Sequence, residues 1–350
     1  MKIAERVNLD AANLKEDLPY LSQLGVTHLG IMIRSWEPRF GEDERWYVSP
    51  GSNLRLTEYY HLEDLLAMKE WAASYGLTLY SIMDTRFVSG NRKQMGEASY
   101  VKHIDNIKKS IINMGKAGIE QFTFGSVGPA GIQAKSPFGL HVWRTSEEKV
   151  GRGGATVYRF DYEKAKQVPV SEMGVISEEE IWNTTEEFLK EICPVAEEAG
   201  VQLCFHPADP PVPSLRGVAK ILKNAEDYDR LLNLVPEKCN KMIFCLGCFA
   251  QMMEAEKVYD AIRHFGKDHI AEVHFRNVQG TLDNFLEVYP DEGVLDMVKV
   301  IEVLKEIGYD GPVVVDHTPH GVGDTAYGHR GRAFAFGYLR GILQAESVLG

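Results

Sequence analysis

Little in this chain commits it to a nucleic-acid backbone, a membrane or a disulfide framework. Its 38 Lys and Arg are outnumbered by 50 Asp and Glu, a formal net charge of −12 at pH 7. Phosphate backbones and anionic lipid surfaces are therefore repelled over much of the molecule. No apolar run approaches the roughly 20 residues that cross a bilayer. The opening residues, MKIAERVNLDAANL, lack the basic stretch, apolar core and small-residue cleavage site of a secretory signal. The cysteines, Cys193, Cys204, Cys239, Cys245 and Cys248, are odd in number and unevenly spaced, unlike those of a secreted disulfide domain. No sequence repeat stands out. What remains is a protein of the reducing cytoplasm with a small-molecule ligand and no nucleic-acid or membrane partner. Acidic ligands stay open, because a local Arg cluster or a metal overrides the global sign.

What the sequence does have is a rhythm. Its 350 residues are 44% hydrophobic, enough for one large barrel or two medium domains. Short apolar runs alternate with longer amphipathic stretches: KIAERV, THLGIMI, LTLYSIMD, EQFTFGSV, VQLCFH, KMIFCLGC, AEVHFRNV and PVVVDHT are eight strand candidates. Several of the helical stretches between them end in glycine (SYG, KAG, EAG, EIGYDG), the usual helix terminator. Eight strand–helix units predict an α/β fold, a single (β/α)8 TIM barrel over residues 1–350, with a doubly wound open sheet as the alternative. Two insertions, about 35–57 and 128–176, are longer than such connections need. Both follow carboxyl ends of strands, where a barrel's active site lies, so they are expected to cover it.

Polar residues at the ends of the last four strands carry the chemistry. His206, in HPADPP, closes an apolar run and is followed by prolines that stop the strand. Cys245, His274 and Asp316 stand at or near the ends of the next three. Alone, each has a plainer reading: a loop histidine, a small buried thiol, a core histidine, a helix cap. Four in one register of four neighbouring strands point instead to a metal site. Two nitrogens, a sulfur and a carboxylate suit Zn, Fe or Mn. The CLGC spacing resembles a redox motif, but Cys245 lies late in a strand and not at the start of a helix, so Cys248 is assigned to packing. His317, Arg276 and Tyr327 are candidates for moving protons or holding an anion, with a solvated histidine, a salt-bridged arginine and a surface tyrosine as the plainer readings.

The set HPADPP, FCLGC, HFRNV, FLEVYPDEGVLDM, DHTPH and YLRGI, in that order, resembles the D-mannonate dehydratase family of metal-dependent barrels, most strongly from about Trp182 onward. A VWRT segment around Arg144 extends the resemblance into the first half. The resemblance implies a Mn²⁺- or Fe²⁺-dependent lyase that removes water from a sugar acid, D-mannonate or a related aldonate, giving a 2-keto-3-deoxy acid. Its metal ligands would be His206, Cys245, His274 and Asp316, its acid/base pair His317 and Tyr327, and its substrate-binding residues Arg276 and Arg144. The pattern also departs from the family's, with Leu286 and Pro290 where histidines would stand. The competing readings are a metal-dependent sugar isomerase or epimerase on a related barrel, and a barrel that binds sugar acids without turnover. The expected partner is a small sugar acid, and a homodimer or higher homo-oligomer is left open.

Overall fold

The computed structural model describes residues 1–8, 14–33, 59–84, 92–124, 137–171 and 174–349. The expected insertion at 35–57 lies outside these residues, as do 128–136 and 172–173 of the other.

Eight parallel strands close into a barrel: Lys2–Asn8, His28–Ile33, Thr78–Asp84, Gln121–Phe124, Gln202–Phe205, Asn240–Cys245, Ile270–His274 and Pro312–Val314. They follow one another around the barrel in chain order, and the first pairs with the last through Lys2 opposite Pro312. All eight strands lie where the apolar runs placed them. Closure rules out the open doubly wound sheet.

The helices form where the 3.6-residue period predicts. In Glu178–Ala199 the buried positions Ile181, Thr185, Phe188, Leu189, Ile192 and Ala196 make one stripe, each large apolar side chain contributing about 1.5–3 kcal/mol by leaving water. Ser177 caps this helix by accepting the Glu180 N–H at 3.1 Å, the S-x-x-E pattern readable in the sequence. Gly200 ends it with φ 68°, a left-handed turn that glycine takes without strain.

The sequence did not reveal a second, smaller sheet. Asn277–Thr281 and Asn284–Val288 form an antiparallel hairpin after the seventh barrel strand, and Val157–Asp161 and Ser146–Glu148 extend it. Two strands of the second long insertion therefore extend this hairpin. Thr156 and His320 exchange two backbone hydrogen bonds of 2.9 Å, tying this sheet to the segment that leaves the eighth barrel strand.

Inside the barrel lies a polar layer. Arg6 on the first strand donates to Glu272 on the seventh at 3.0 Å, and its guanidinium also reaches Ser81 and Thr123. Tyr80 donates to the same Glu272 carboxylate.

Candidate active site

His206 lies one residue past the fifth strand, Cys245 and His274 are the last residues of the sixth and seventh, and Asp316 lies two past the eighth. Strand register levels them: Cys245 pairs with His274, and His274 with Val314. One donor atom from each of the four lies within 4.8 Å of the other three. Asp316 has φ 25°, unusual for a residue with a side chain. The chain turns there, so its carboxylate faces His274 Nδ1 at 3.4 Å while the next residue, His317, turns its Nδ1 to Glu287 at 2.8 Å.

The donor chemistry fits a divalent metal. His206 Nδ1 donates to the carbonyl of Pro207 at 2.8 Å, which leaves Nε2 as the lone-pair nitrogen. His274 Nε2 donates to Glu272 at 2.7 Å, which leaves Nδ1. These two lone-pair nitrogens face each other at 3.2 Å, each ring held through its far nitrogen as in metal-ligating histidines. Burial works to raise the Cys245 pKa, but the hydrogen bond from Cys248 and the charge of Arg276 outweigh it and hold the thiol well below its usual range. Thiolate is the ligating form. Nitrogen, sulfur and oxygen donors together suit Mn, Fe or Zn and do not choose between them.

A layer of charges backs this set. Arg144 is fully buried, and its two terminal nitrogens grip Asp209 at 2.9 and 3.0 Å while one also bonds Glu287. Arg276, 1% exposed, contacts Asp209 at 2.8 Å, Glu287 at 3.3 Å and Asp316 at 2.8 Å. It also donates to Cys248 Sγ at 3.2 Å, so the second cysteine of CLGC faces this layer as well as packing. Gly247 between them is required by space, since a Cβ there would lie 2.5 Å from the Arg276 guanidinium. Asp209, Glu287 and His317 form a second close group of potential ligands, but both carboxylates are already neutralised by the two arginines. The charges of Asp316 and Glu287 raise the His317 pKa against the opposing effect of burial.

Tyr327 packs against Arg332 and His329. The Arg332 guanidinium lies 4.6 Å from its ring centroid, donates to its backbone carbonyl at 3.0 Å and pairs with Glu5 at 2.6 Å. The Tyr327 hydroxyl is buried and has no hydrogen-bond partner among the described residues. Burial pushes its pKa far up, so the phenol stays protonated. Sequence reasoning passed over Glu272, Glu287, Asp209, Glu5 and Arg332. Glu272 had a readable signal, an acid two residues before His274 and so on the same face of an otherwise apolar strand.

The fold and donor set together define a barrel enzyme built around a site suited to a divalent metal. The chain belongs to the D-mannonate dehydratase (UxuA) family, whose model matches residues 164–348, and it is a member of a family of sugar-acid hydro-lyases. The matched span holds every candidate site residue except Arg144. The mannonate dehydratase of Oceanobacillus iheyensis is 29% identical over 332 residues, covering 86% of this chain and 90% of that protein. The crystal structure of mannonate dehydratase from Streptococcus suis serotype 2 superposes with a TM-score of 0.75 at 24% identity, over 99% of this chain and 93% of that one. D-psicose 3-epimerase from Clostridium cellulolyticum H10 has a TM-score of 0.60 at 16% identity, over 98% and 99% of the two chains. At such identities, likeness to the solved structures shows a shared fold. No described helix is long and apolar enough to cross a membrane.

Proposed function

We propose that this chain dehydrates an aldonic acid, D-mannonate first among the candidates, to a 2-keto-3-deoxy acid, and that Mn²⁺ or Fe²⁺ is held by His206, Cys245, His274 and Asp316. One observation carries the reading: four donors of metal-ligand type converge within 4.8 Å at the carboxyl ends of neighbouring strands. When bound, the ion supplies positive charge that stabilises the anion left as a proton departs from the carbon beside the carboxylate.

The chain's own groups move the protons. His317 follows Asp316, its ring held by Glu287 through Nδ1 while Nε2 lies 3.5 Å from Asp316 Oδ1, and we assign the proton exchange to this ring. Tyr327, protonated by virtue of its burial, is suited to give a proton to the departing hydroxyl. Arg144 and Arg276 were expected to meet the substrate directly, but their ion pairs favour a role in fixing Asp209, Glu287 and Asp316. The small antiparallel sheet carries Glu287, and Arg144 lies two residues before its strand Ser146–Glu148.

The test is to offer aldonic and uronic acids to the purified, Mn²⁺-loaded protein and assay 2-keto-3-deoxy acid. Product from D-mannonate supports the reading. Proton exchange at carbon without that product would favour an isomerase or epimerase, and tight binding with neither event a non-catalytic barrel.

A further inference from the structure

We infer that Lys220, a cation with no ion-pair partner among the described residues, receives the carboxylate of the substrate, a singly charged acid. The inference rests on the sugar-acid reading above and adds the group that reads the acid.

The backbone places Lys220 beside the site. The segment after His206 turns through a two-stranded hairpin, Ser214–Leu215 with Val218–Ala219, and returns along itself. The Lys220 N–H donates to Pro213 at 2.9 Å, and Ala208 donates to Leu222 at 3.0 Å. Position 220 is thus clamped against the stretch that contains Asp209, the acid held by both buried arginines. Lys220 is half-buried, yet among the described residues its ammonium makes no hydrogen bond and no ion pair. Lys223, three residues on, shows the ordinary alternative, pairing with Glu178 at 2.9 Å and Asp227 at 3.2 Å.

Charge balance around the mouth singles out the same residue. Arg6 is matched by Glu272, Arg332 by Glu5, and the pair Arg144 and Arg276 by Asp209 and Glu287. A divalent ion would be matched by the Cys245 thiolate and the Asp316 carboxylate. Among these described residues Lys220 is left over. Burial pushes its pKa down, and the charge of Asp209 only partly opposes this, so a bound anion would stabilise its charged form. Both arginines are held by carboxylates through their terminal nitrogens, whereas Lys220 has its three N–H groups to turn to an incoming carboxylate.

The test is equilibrium binding by titration calorimetry on Mn²⁺-loaded protein carrying His317→Asn to arrest turnover, with D-mannonate and the uncharged D-mannitol as probes. Lys220→Met is expected to weaken D-mannonate binding by about 10- to 100-fold, the usual worth of a hydrogen bond to a charged group. D-mannitol binding and metal content should not change, and Lys220→Arg should recover most of the affinity. Unchanged D-mannonate binding in Lys220→Met, equal weakening of both probes, or no D-mannonate binding with Lys220 intact would each overturn the inference. The two readings fail separately. Keto-deoxy acid formed by the unmodified protein, with a Lys220-independent affinity, sinks this inference alone. Lys220-dependent binding with no such product sinks the dehydratase reading alone.

Discussion

Arg276 Nε lies 2.8 Å from Asp316 Oδ2, the oxygen that also faces His274 and Cys245. One guanidinium thus sets the rotation of a carboxylate among the metal-ligand candidates from behind. Replacing Arg276 by Met should lower metal affinity by about 10- to 100-fold, as loss of an outer hydrogen-bonding or ionic partner commonly does. Lys should rescue little, since it keeps the charge and loses the fork. Competition with a chelator measures this, and an unaltered metal affinity would show that Asp316 needs no such support.

Cys245→Ser and His206→Ala should each lose bound metal and activity together, because one donor serves both. Elemental analysis of the purified variants checks this. If Cys245→Ser kept full metal and full rate, the thiolate would have to leave the proposed ligand set.

His317→Asn should separate the two properties. Metal content should stay near wild type while turnover falls by roughly two to four orders of magnitude, the usual worth of a general acid or base. Metal lost in step with activity would move His317 among the ligands.

Arg144→Met should act on stability first. It would strip one of two cations from Asp209 and Glu287, which are 5% and 3% exposed at their side chains. Leaving buried carboxylates under-compensated costs about 3–5 kcal/mol, readable as a lower urea midpoint. Arg144→Lys should recover only part, because the two-pronged grip on Asp209 needs a guanidinium. A midpoint unchanged by Arg144→Met would rule out a structural role for the pair.

Asp324 should give the fold an acid-sensitive component. Its carboxylate accepts the backbone N–H groups of Thr325, Arg330 and Gly331 at 2.8, 2.9 and 3.0 Å. Burial alone would raise its pKa, but these hydrogen bonds outweigh it and hold the value below the ordinary 3.8. A depressed carboxylate stabilises the fold fully above its unfolded pKa and loses that contribution as pH falls through the folded one. Asp324→Asn should therefore cost about 1 kcal/mol near neutrality, as loss of a helix cap does. The thermal midpoints of wild type and variant should converge below about pH 4, where the wild-type carboxylate approaches its own protonation. A gap that persisted undiminished into that range would argue against the charge as its source.

The barrel was legible because parallel strands covered on both faces read as short apolar runs. The four ligand candidates were legible because each is a polar residue ending such a run. Partners distant in the chain were not: nothing local in VWRT says that Arg144 will meet Asp209, 65 residues on. The small sheet escaped for the same reason, since Phe160 pairs with Phe285 across more than a hundred residues. Arg6 and Glu272 each look like an anomaly in an apolar strand until closure places the first strand within reach of the seventh. Tyr327 was placed by a loop match alone, and its surroundings, Arg332 and Glu5, come from a helix and a strand at opposite ends of the sequence.

Glu272 holds Arg6 and Tyr80 inside the barrel with one oxygen and the His274 ring with the other. The scaffold and the chemistry are therefore joined at one side chain. An engineer who replaced the polar layer with well-packed aliphatics would also free His274 to adopt its other tautomer, offering a hydrogen where a lone pair is wanted. In this barrel the interior is not a neutral chassis on which mouth residues can be exchanged at will, and any redesign of its centre has to begin by giving His274 another acceptor.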